Sequence, residues 1–396
     1  AHYNTAVGKQ AMRSNTTGAN NTASGYLALY NNTTGYSNTA TGTDALYSNT
    51  TGAECTAVGY RALSANTTAT TSTAFGGDAL RLNTTGSANN AFGHSALENT
   101  TTGNINTAMG HRAMTTNSTG QYNTALGGYA LQANTTASNN TASGYQALYS
   151  NTTGANNTAS GAYSLYYNTT GGNNTASGRQ ALYSNTTGTF NTSLGYRSLP
   201  NHTTGSDNVA VGYETGEDVT TGTKNTLLGT LAGQNITSGD SCVMVGYQAG
   251  AGGNRANALY IARDNSAPGN NACWVYGDGS GNVTQGNNQT TWSQASDERI
   301  KKNITDSSKG LAEINQLQIR NFEYRTPEEI TAEGITGCDN EGIQVGIIAQ
   351  ELEVPFPEAV FEGQGGKKQA RTDAVFWAMV NAIKELSAKV EALENA

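Results

Sequence analysis

The sequence predicts a mainly β chain: a repetitive parallel β-roll or solenoid shaft of 17-residue coils, trimeric, followed by a small α+β domain ending in a coiled-coil helix. Three observations carry that expectation. Glycine recurs at Gly8, Gly25, Gly42 and every seventeenth position to Gly246, fifteen times without a slip. Between these landmarks stand Asn-Thr-Thr-Gly segments, which suit tight turns because Gly and Asn tolerate positive φ. From Ser296 the Asn-Thr-Thr runs vanish, Lys, Glu, Ile and Pro appear, and the chain closes on a heptad-spaced apolar stripe.

The unit, as in Asn140 to Gly154, reads Asn-Thr-Ala-x-Gly-Tyr-x-Ala-Leu-Tyr-x-Asn-Thr-Thr-Gly. A strict short period means stacked copies of one supersecondary unit, none able to bury its apolar face alone. The apolar segments are too short and too often broken for helices, so each unit is expected to hold two short strands and two turns. Stacked at the ~4.8 Å inter-strand spacing, fifteen coils make a rod about 70 Å long, each pairing its backbone with the coils on either side. Two columns read as core. Ala6, Ala23, Ala40 and Ala57 lie two before the landmark glycine, and Met12, Leu29, Leu46 and Leu63 four after it. That is a thin core for one chain, which points to three chains closing around an axis, a homotrimer. The Asn and Thr columns are expected to stack as ladders of amides and hydroxyls.

Composition excludes most other classes. Only 13 % of residues are charged and no Pro precedes Pro200, which argues against a disordered charged tail. The 48 glycines do not fall every third residue, so collagen is out. No run of about 18 apolar residues exists to span a membrane. The opening Ala1-His2-Tyr3-Asn4 has no basic n-region and is not expected to be a signal peptide. Lacking an initiator Met, the sequence fits a piece of something longer. A net charge of −8 gives no electrostatic reason to expect nucleic acid or an acidic membrane surface. Cys55, Cys242, Cys273 and Cys338 lie far apart, with neither a zinc-type spacing nor a disulfide framework. Acids are scarce along the repeats, which excludes a calcium-binding solenoid. No metal site and no cofactor are therefore expected. The Asn-Thr-Thr runs match the N-glycosylation pattern, but a structural ladder explains their regularity without modification. Thr ladders could also bind ice; here Thr stands beside Asn and bulky Tyr, not in a clean Thr-x-Thr column.

The repeat degenerates around Thr215, Gly233 and Gly250, where the Ala-Leu half of the unit is replaced, and its period stops after Gly246. Residues 251–295 read as a β neck, with strand-like runs at Ala258–Ile261 and Trp274–Tyr276 broken by Gly and Asn turns. The last segment is a helix. Phe376, Met379, Ile383, Leu386, Val390 and Leu393 are spaced 3, 4, 3, 4, 3, a heptad seam with Glu and Lys between. Packing on its own domain would suit it, but beside a trimeric rod a three-stranded coiled coil is favoured.

The repeat unit resembles the left-handed parallel β-roll of trimeric autotransporter adhesin heads, whose related coils are shorter than these. The C-terminal motifs are more specific. They run Ser296-Asp297-Glu298-Arg299-Ile300-Lys301-Lys302-Asn303-Ile304, Leu311 to Leu317, Phe322-Glu323-Tyr324, Gly346 to Leu352, and Phe356-Pro357-Glu358-Ala359-Val360. With the terminal heptads, they resemble the C-terminal intramolecular chaperone of endosialidase-type phage tail spikes and fibres, a self-cleaving serine peptidase family. The resemblance implies a chaperone over residues 296–396 that trimerises, drives assembly of the 1–250 shaft, and cuts itself off.

In that family the chemistry would fall to Ser296 as nucleophile and Lys301 as its base, a single-turnover serine autoprotease cutting at Ser296-Asp297. A lysine acts as base only when neutral, so its pKa must fall from about 10.4; burial and the like charges of Arg299 and Lys302 push it that way. The spacing of five puts the pair roughly 140° apart on a helix and on opposite faces of a strand. The dyad therefore needs a turn or a neighbouring chain. Alternatively, Ser296 merely caps a helix beginning near Glu298. No glycan hydrolase domain is visible. The expectation is a trimeric tail fibre or spike, in the virion and extracellular after assembly in a host cytoplasm. It would contact itself and a host cell-surface receptor, a glycan or surface protein, without nucleic acid or membrane insertion. A cellular trimeric surface adhesin or filament subunit with the same chaperone is the alternative.

Overall fold

The structure is a computed structural model, which describes residues 2–250, 254, 256–262, 273–277, 283–285, 307–323, 343–362, 368–370 and 373–395. The chain divides into two compact units, Ala1–Ser293 and Gln294–Ala396.

In the first unit, one short strand recurs per coil, from β1 (Thr5–Val7) to β15 (Val243–Val245). Each pairs in parallel with its successor and in register, so that Thr141 faces Thr158 and Ala142 faces Ala159. β16 (Leu259–Ala262) still adds in parallel, but Val243 faces Leu259, so the step is one residue shorter than the repeat. β17 (Cys273–Gly277) and β18 (Val283–Gln285) then turn antiparallel. Each coil holds one strand, not the two expected. The Ala-Leu-Tyr segment cannot extend because alternate residues are left-handed, for example Gln146 at φ 55° and Leu148 at φ 52°. Its amides still bridge coils: Leu148 N–H donates to the Ser164 carbonyl at 3.0 Å, and Ser150 N–H to Tyr166 at 3.0 Å. Left-handed backbone at non-glycine residues is unfavourable one residue at a time. Here it persists because the coils on either side hold it.

The landmark glycines are required by space as well as by φ. At Gly144, φ is +141° and an added Cβ would lie 2.6 Å from the carbonyl of Gly161 in the next coil.

The predicted Ala and Leu columns are buried, Ala23 and Leu29 onward, with Ala6 left exposed on the terminal coil. A second Ala column (Ala28, Ala45, Ala62) joins them, and so do two columns of asparagine. Asn140 N–H donates to Asn123 Oδ1 at 3.0 Å, and its own Nδ2 donates to the Gly154 carbonyl at 2.9 Å. Asn151 Nδ2 donates both to Asn134 Oδ1 at 3.0 Å and to Gly154 at 2.9 Å. Buried amides are tolerable because donors and acceptors meet their copies one coil away. The Thr ladder also forms, with Thr152 Oγ1 donating to the Thr169 carbonyl at 3.0 Å. Asn151, Asn168 and their buried copies in the Asn-Thr-Thr runs are enclosed, which removes the glycosylation reading for those positions. Core and ladders close inside a single chain, so the thin-core argument for three chains falls away.

Two of the degenerate coils exchange a large residue for a small one across the core. Where the buried Ala becomes Leu227 or Met244, the facing Leu becomes Gly233 or Gly250; a Cβ on Gly233 would sit 2.8 Å from Leu227 Cδ1. Nearby the ladder asparagine gives way to Val219 and Ile236, both buried.

The second unit contains α1 (Leu311–Ile314), β19 (Arg320–Phe322), β20 (Gln344–Gly346), α2 (Ala349–Leu352), a 3₁₀ turn (Pro357–Ala359), β21 (Val360–Glu362), β22 (Lys368–Ala370) and α3 (Asp373–Glu394). β19–β20 and β21–β22 are antiparallel pairs.

Candidate functional site

The C-terminal unit has a small core whose residues coincide with its motifs. Leu352, Phe356 and Ala359 are buried against Val375 and Ala378 of α3, with Ile314, Leu317, Ile347 and Val360 packed around them. Polar contacts fasten α3 to the start of α1. Asn381 Nδ2 donates to the Lys309 carbonyl at 3.0 Å, and Glu385 accepts from Leu311 N–H at 3.4 Å. Lys309 reaches the Pro355 carbonyl at 2.7 Å and lies over the Phe356 ring. Glu313 accepts the Gly310 N–H at 2.9 Å, which holds its carboxyl below the usual range. Arg320 grips Glu351 through two bonds of 3.0 and 2.6 Å, lowering the Glu351 carboxyl in turn. Lys368 pairs with Glu353.

The motifs therefore do one physical thing: they hold one face of α3 down. Val375, Ala378 and Ala382 fill that face. The heptad residues occupy another. Phe376, Met379, Ile383, Leu386, Val390 and Leu393 stand 42 to 78 % exposed, an apolar seam on a 22-residue helix.

The shaft carries a second surface, which the sequence reading passed over. Tyrosines five after the landmark glycine stack coil on coil: Tyr30 on Tyr47 with centroids 5.3 Å apart, and Tyr149, Tyr166 and Tyr183 in series at 5.0 and 5.4 Å. From His94 an unbroken chain of ring contacts runs through His111, Tyr129, Tyr145 and Tyr163 to Tyr166. The signal was available as Tyr recurring at one repeat position. On the outer strand face, one before the landmark glycine, Phe75, Phe92, Met109 and Leu126 form a separate exposed column. Charges on the shaft pair across coils: Arg81 with Glu98 at 2.7 Å, and Arg197 with Glu214 and Glu217 at 3.1 and 3.3 Å. Burial raises the Glu98 carboxyl, but hydrogen bonds from Arg81 and Ser95 outweigh it and hold the group below its ordinary value.

Residues 296–361 match the family model for the chaperone of endosialidase. No curated protein and no solved structure matches the chain. The chain thus has a C-terminal chaperone segment after a β-solenoid shaft. The matched span opens at Ser296, the residue read as the nucleophile. Ser296, Asp297 and Lys301 lie outside the described residues, and so do Arg299 and Lys302. The later motif blocks of the chaperone segment fall on α1, β19, β20, α2 and the 3₁₀ turn, and supply its core. Among the described residues no group of His, Cys, Asp and Glu could hold a metal ion, and no helix is long and apolar enough to cross a membrane.

Proposed function

We infer that the protein is a phage-type tail fibre or spike for host attachment. Its chaperone segment gathers three chains through the α3 seam, sets their shafts in register, and then cuts itself off at Ser296-Asp297. The observation that carries this reading is the family match beginning at Ser296, joined to an exposed heptad seam on the only long helix among the described residues. A repeat this regular needs such a device, because a slip by one unit between chains changes few local contacts.

The chemistry favours cleavage within the assembly. Attack by a serine hydroxyl on its own carbonyl would close a strained four-membered ring. Ser296 Oγ of one chain adding to the Ser296 carbonyl carbon of a neighbour avoids it. Lys301, neutral, takes the hydroxyl proton and returns it to the leaving Asp297 amine; water then hydrolyses the ester. Cutting so late traps the rod kinetically, since the aligning segment is gone when the shaft begins to unfold. The same assembly would serve a cellular trimeric surface adhesin, a reading favoured by the likeness of the repeat to adhesin heads.

A denaturing gel of the purified protein tests the proposal. Wild type is expected to release residues 297–396 without added protease, Ser296→Ala to stay whole, and Lys301→Ala to be slowed by about 10² to 10⁴. Undiminished cleavage in Ser296→Ala would refute it.

A further inference from the structure

Two tyrosine stacks on the shaft end beside cavities that share a tyrosine, an arginine and a serine at equivalent repeat positions. Tyr47 is covered on one side by Tyr30, at 5.3 Å and 9°. The residue one coil further on is Ser64, too small to cover the other face. Tyr183 is covered by Tyr166, at 5.4 Å and 17°, and meets Tyr167 edge-on at 5.2 Å; its next neighbour in the column is the buried Pro200. A cavity of about 310 Å³ opens beside Tyr47, lined also by Asp44, Ser48, Arg61 and Ser64. Another of about 330 Å³ opens beside Tyr183, lined by Gln180, Ser184, Arg197, Pro200 and Asn201. The two tyrosines, the two arginines and the two serines at positions 48 and 184 occupy identical repeat positions eight coils apart, roughly 38 Å along the rod.

We propose that these cavities are paired subsites for neutral hexose chains. This rests on the reading of the shaft as an attaching fibre and names what it would attach to. The chemistry is that of a sugar. A pyranose presents a flat C–H face that stacks on a bare aromatic ring, and a rim of hydroxyls that hydrogen-bond to guanidinium, amide and serine groups. Each cavity offers both halves and is of ligand size. Charge selects against anions: Arg197 is already held by Glu214 and Glu217, and Asp44 lines the other cavity beside Arg61. The ring chain from Tyr129 through Tyr145, Tyr163 and Tyr166 leads to the Tyr183 cavity, giving a longer glycan an aromatic track along the rod.

The test uses the full chain with unbranched hexaoses of glucose, mannose and galactose, and oligogalacturonate as the anionic probe, read by saturation-transfer NMR and calorimetric titration. At least one neutral series is expected to bind, with oligogalacturonate about tenfold weaker or absent. Tyr47→Ala with Tyr183→Ala should weaken binding about tenfold or more, with the shaft still folded by circular dichroism and its oligomeric state unchanged. Failure of all three neutral series overturns the proposal, as does equal binding by the double variant or preference for the anionic probe. A change of oligomeric state in the double variant would assign the cavities to contact between copies instead. Self-cleavage on the gel reads the assembly function separately: a chain that cuts itself yet binds no hexaose keeps that function and loses this proposal.

Discussion

The shaft and the chaperone segment hold short elements together by opposite means. In the shaft the contacts are copies: Asn, Thr and Gly meet their equivalents one coil away, and even left-handed leucines are held by repetition. Within one chain connectivity sets the order of the coils, but nothing in such a stack would say which coil of one chain lies beside which coil of another. The chaperone segment has few buried residues, but they come from different motifs, and its long helix carries an exposed heptad seam. Stability without address lies in one, address with little buried mass in the other. A fibre built from the first needs something like the second.

The largest effect should come from setting the two against each other. Deleting one whole coil, residues 141–157, removes a full repeat yet rejoins equivalent positions; soluble trimer of unchanged circular dichroism is expected. Ile383→Glu with Leu386→Glu changes only two exposed side chains, yet should abolish trimers in mass photometry and leave the shaft insoluble or misregistered. Soluble trimer from the seam variant, or collapse of the coil deletion, would reverse the comparison.

A second prediction asks how far the shaft's own core tolerates exchange. Leu227→Ala alone should destabilise its coil by ~2–5 kcal/mol, by lost burial and a cavity. Gly233→Leu alone overpacks against Leu227, costing about 1–3 kcal/mol. Together they exchange large for small within one coil, and the double variant should recover part of the summed loss; Leu227 also fills the space beside Gly216, so some of the cavity cost stays. Hydrogen exchange of amides in coils 226–249 reads the local opening; additive losses would show that the two positions do not share one space.

These cases show what was legible in the sequence. The period, the parallel stacking, the Ala and Leu columns and the hydrogen-bonded ladders follow from repetition, because a column of identical residues admits few arrangements. The single strand per coil was not legible: nothing in Ala-Leu-Tyr marks a left-handed leucine, and only the stacked structure holds Leu148 at φ 52°. Nor was the burial of asparagine, since a polar residue reads as surface until its copies are seen to satisfy it. In the chaperone segment the motifs were recognisable as a set, but that Leu352, Phe356 and Ala359 would anchor α3 depended on contacts between blocks far apart in sequence.

The smallest effect tests the ladder where it is interrupted. His202 stands in the column of Asn185, and its Nε2 donates to the Gly205 carbonyl at 2.8 Å. With the proton there, its Nδ1 has none to give, and both that atom and Asn185 Oδ1 are buried without a partner. Burial also pushes the imidazole below its ordinary 6.5, against a smaller opposing pull from the Gly205 hydrogen bond. The folded shaft therefore keeps His202 neutral, while the unfolded chain takes up a proton as pH falls through about 6.5. The unfolded state then binds more protons, so this contribution to stability is present above that pH and lost below it, down to the lowered folded value. His202→Asn restores the amide donor to Asn185 and removes the titration. At neutral pH the variant should be more stable by about 1–2 kcal/mol, and its advantage should widen between about pH 7 and pH 5. Thermal unfolding of both proteins at the two pH values, compared as a difference so that the carboxylates cancel, checks this. A constant difference would mean that His202 keeps its charge state on unfolding; a less stable variant would mean that the Asn ladder does not extend to this coil.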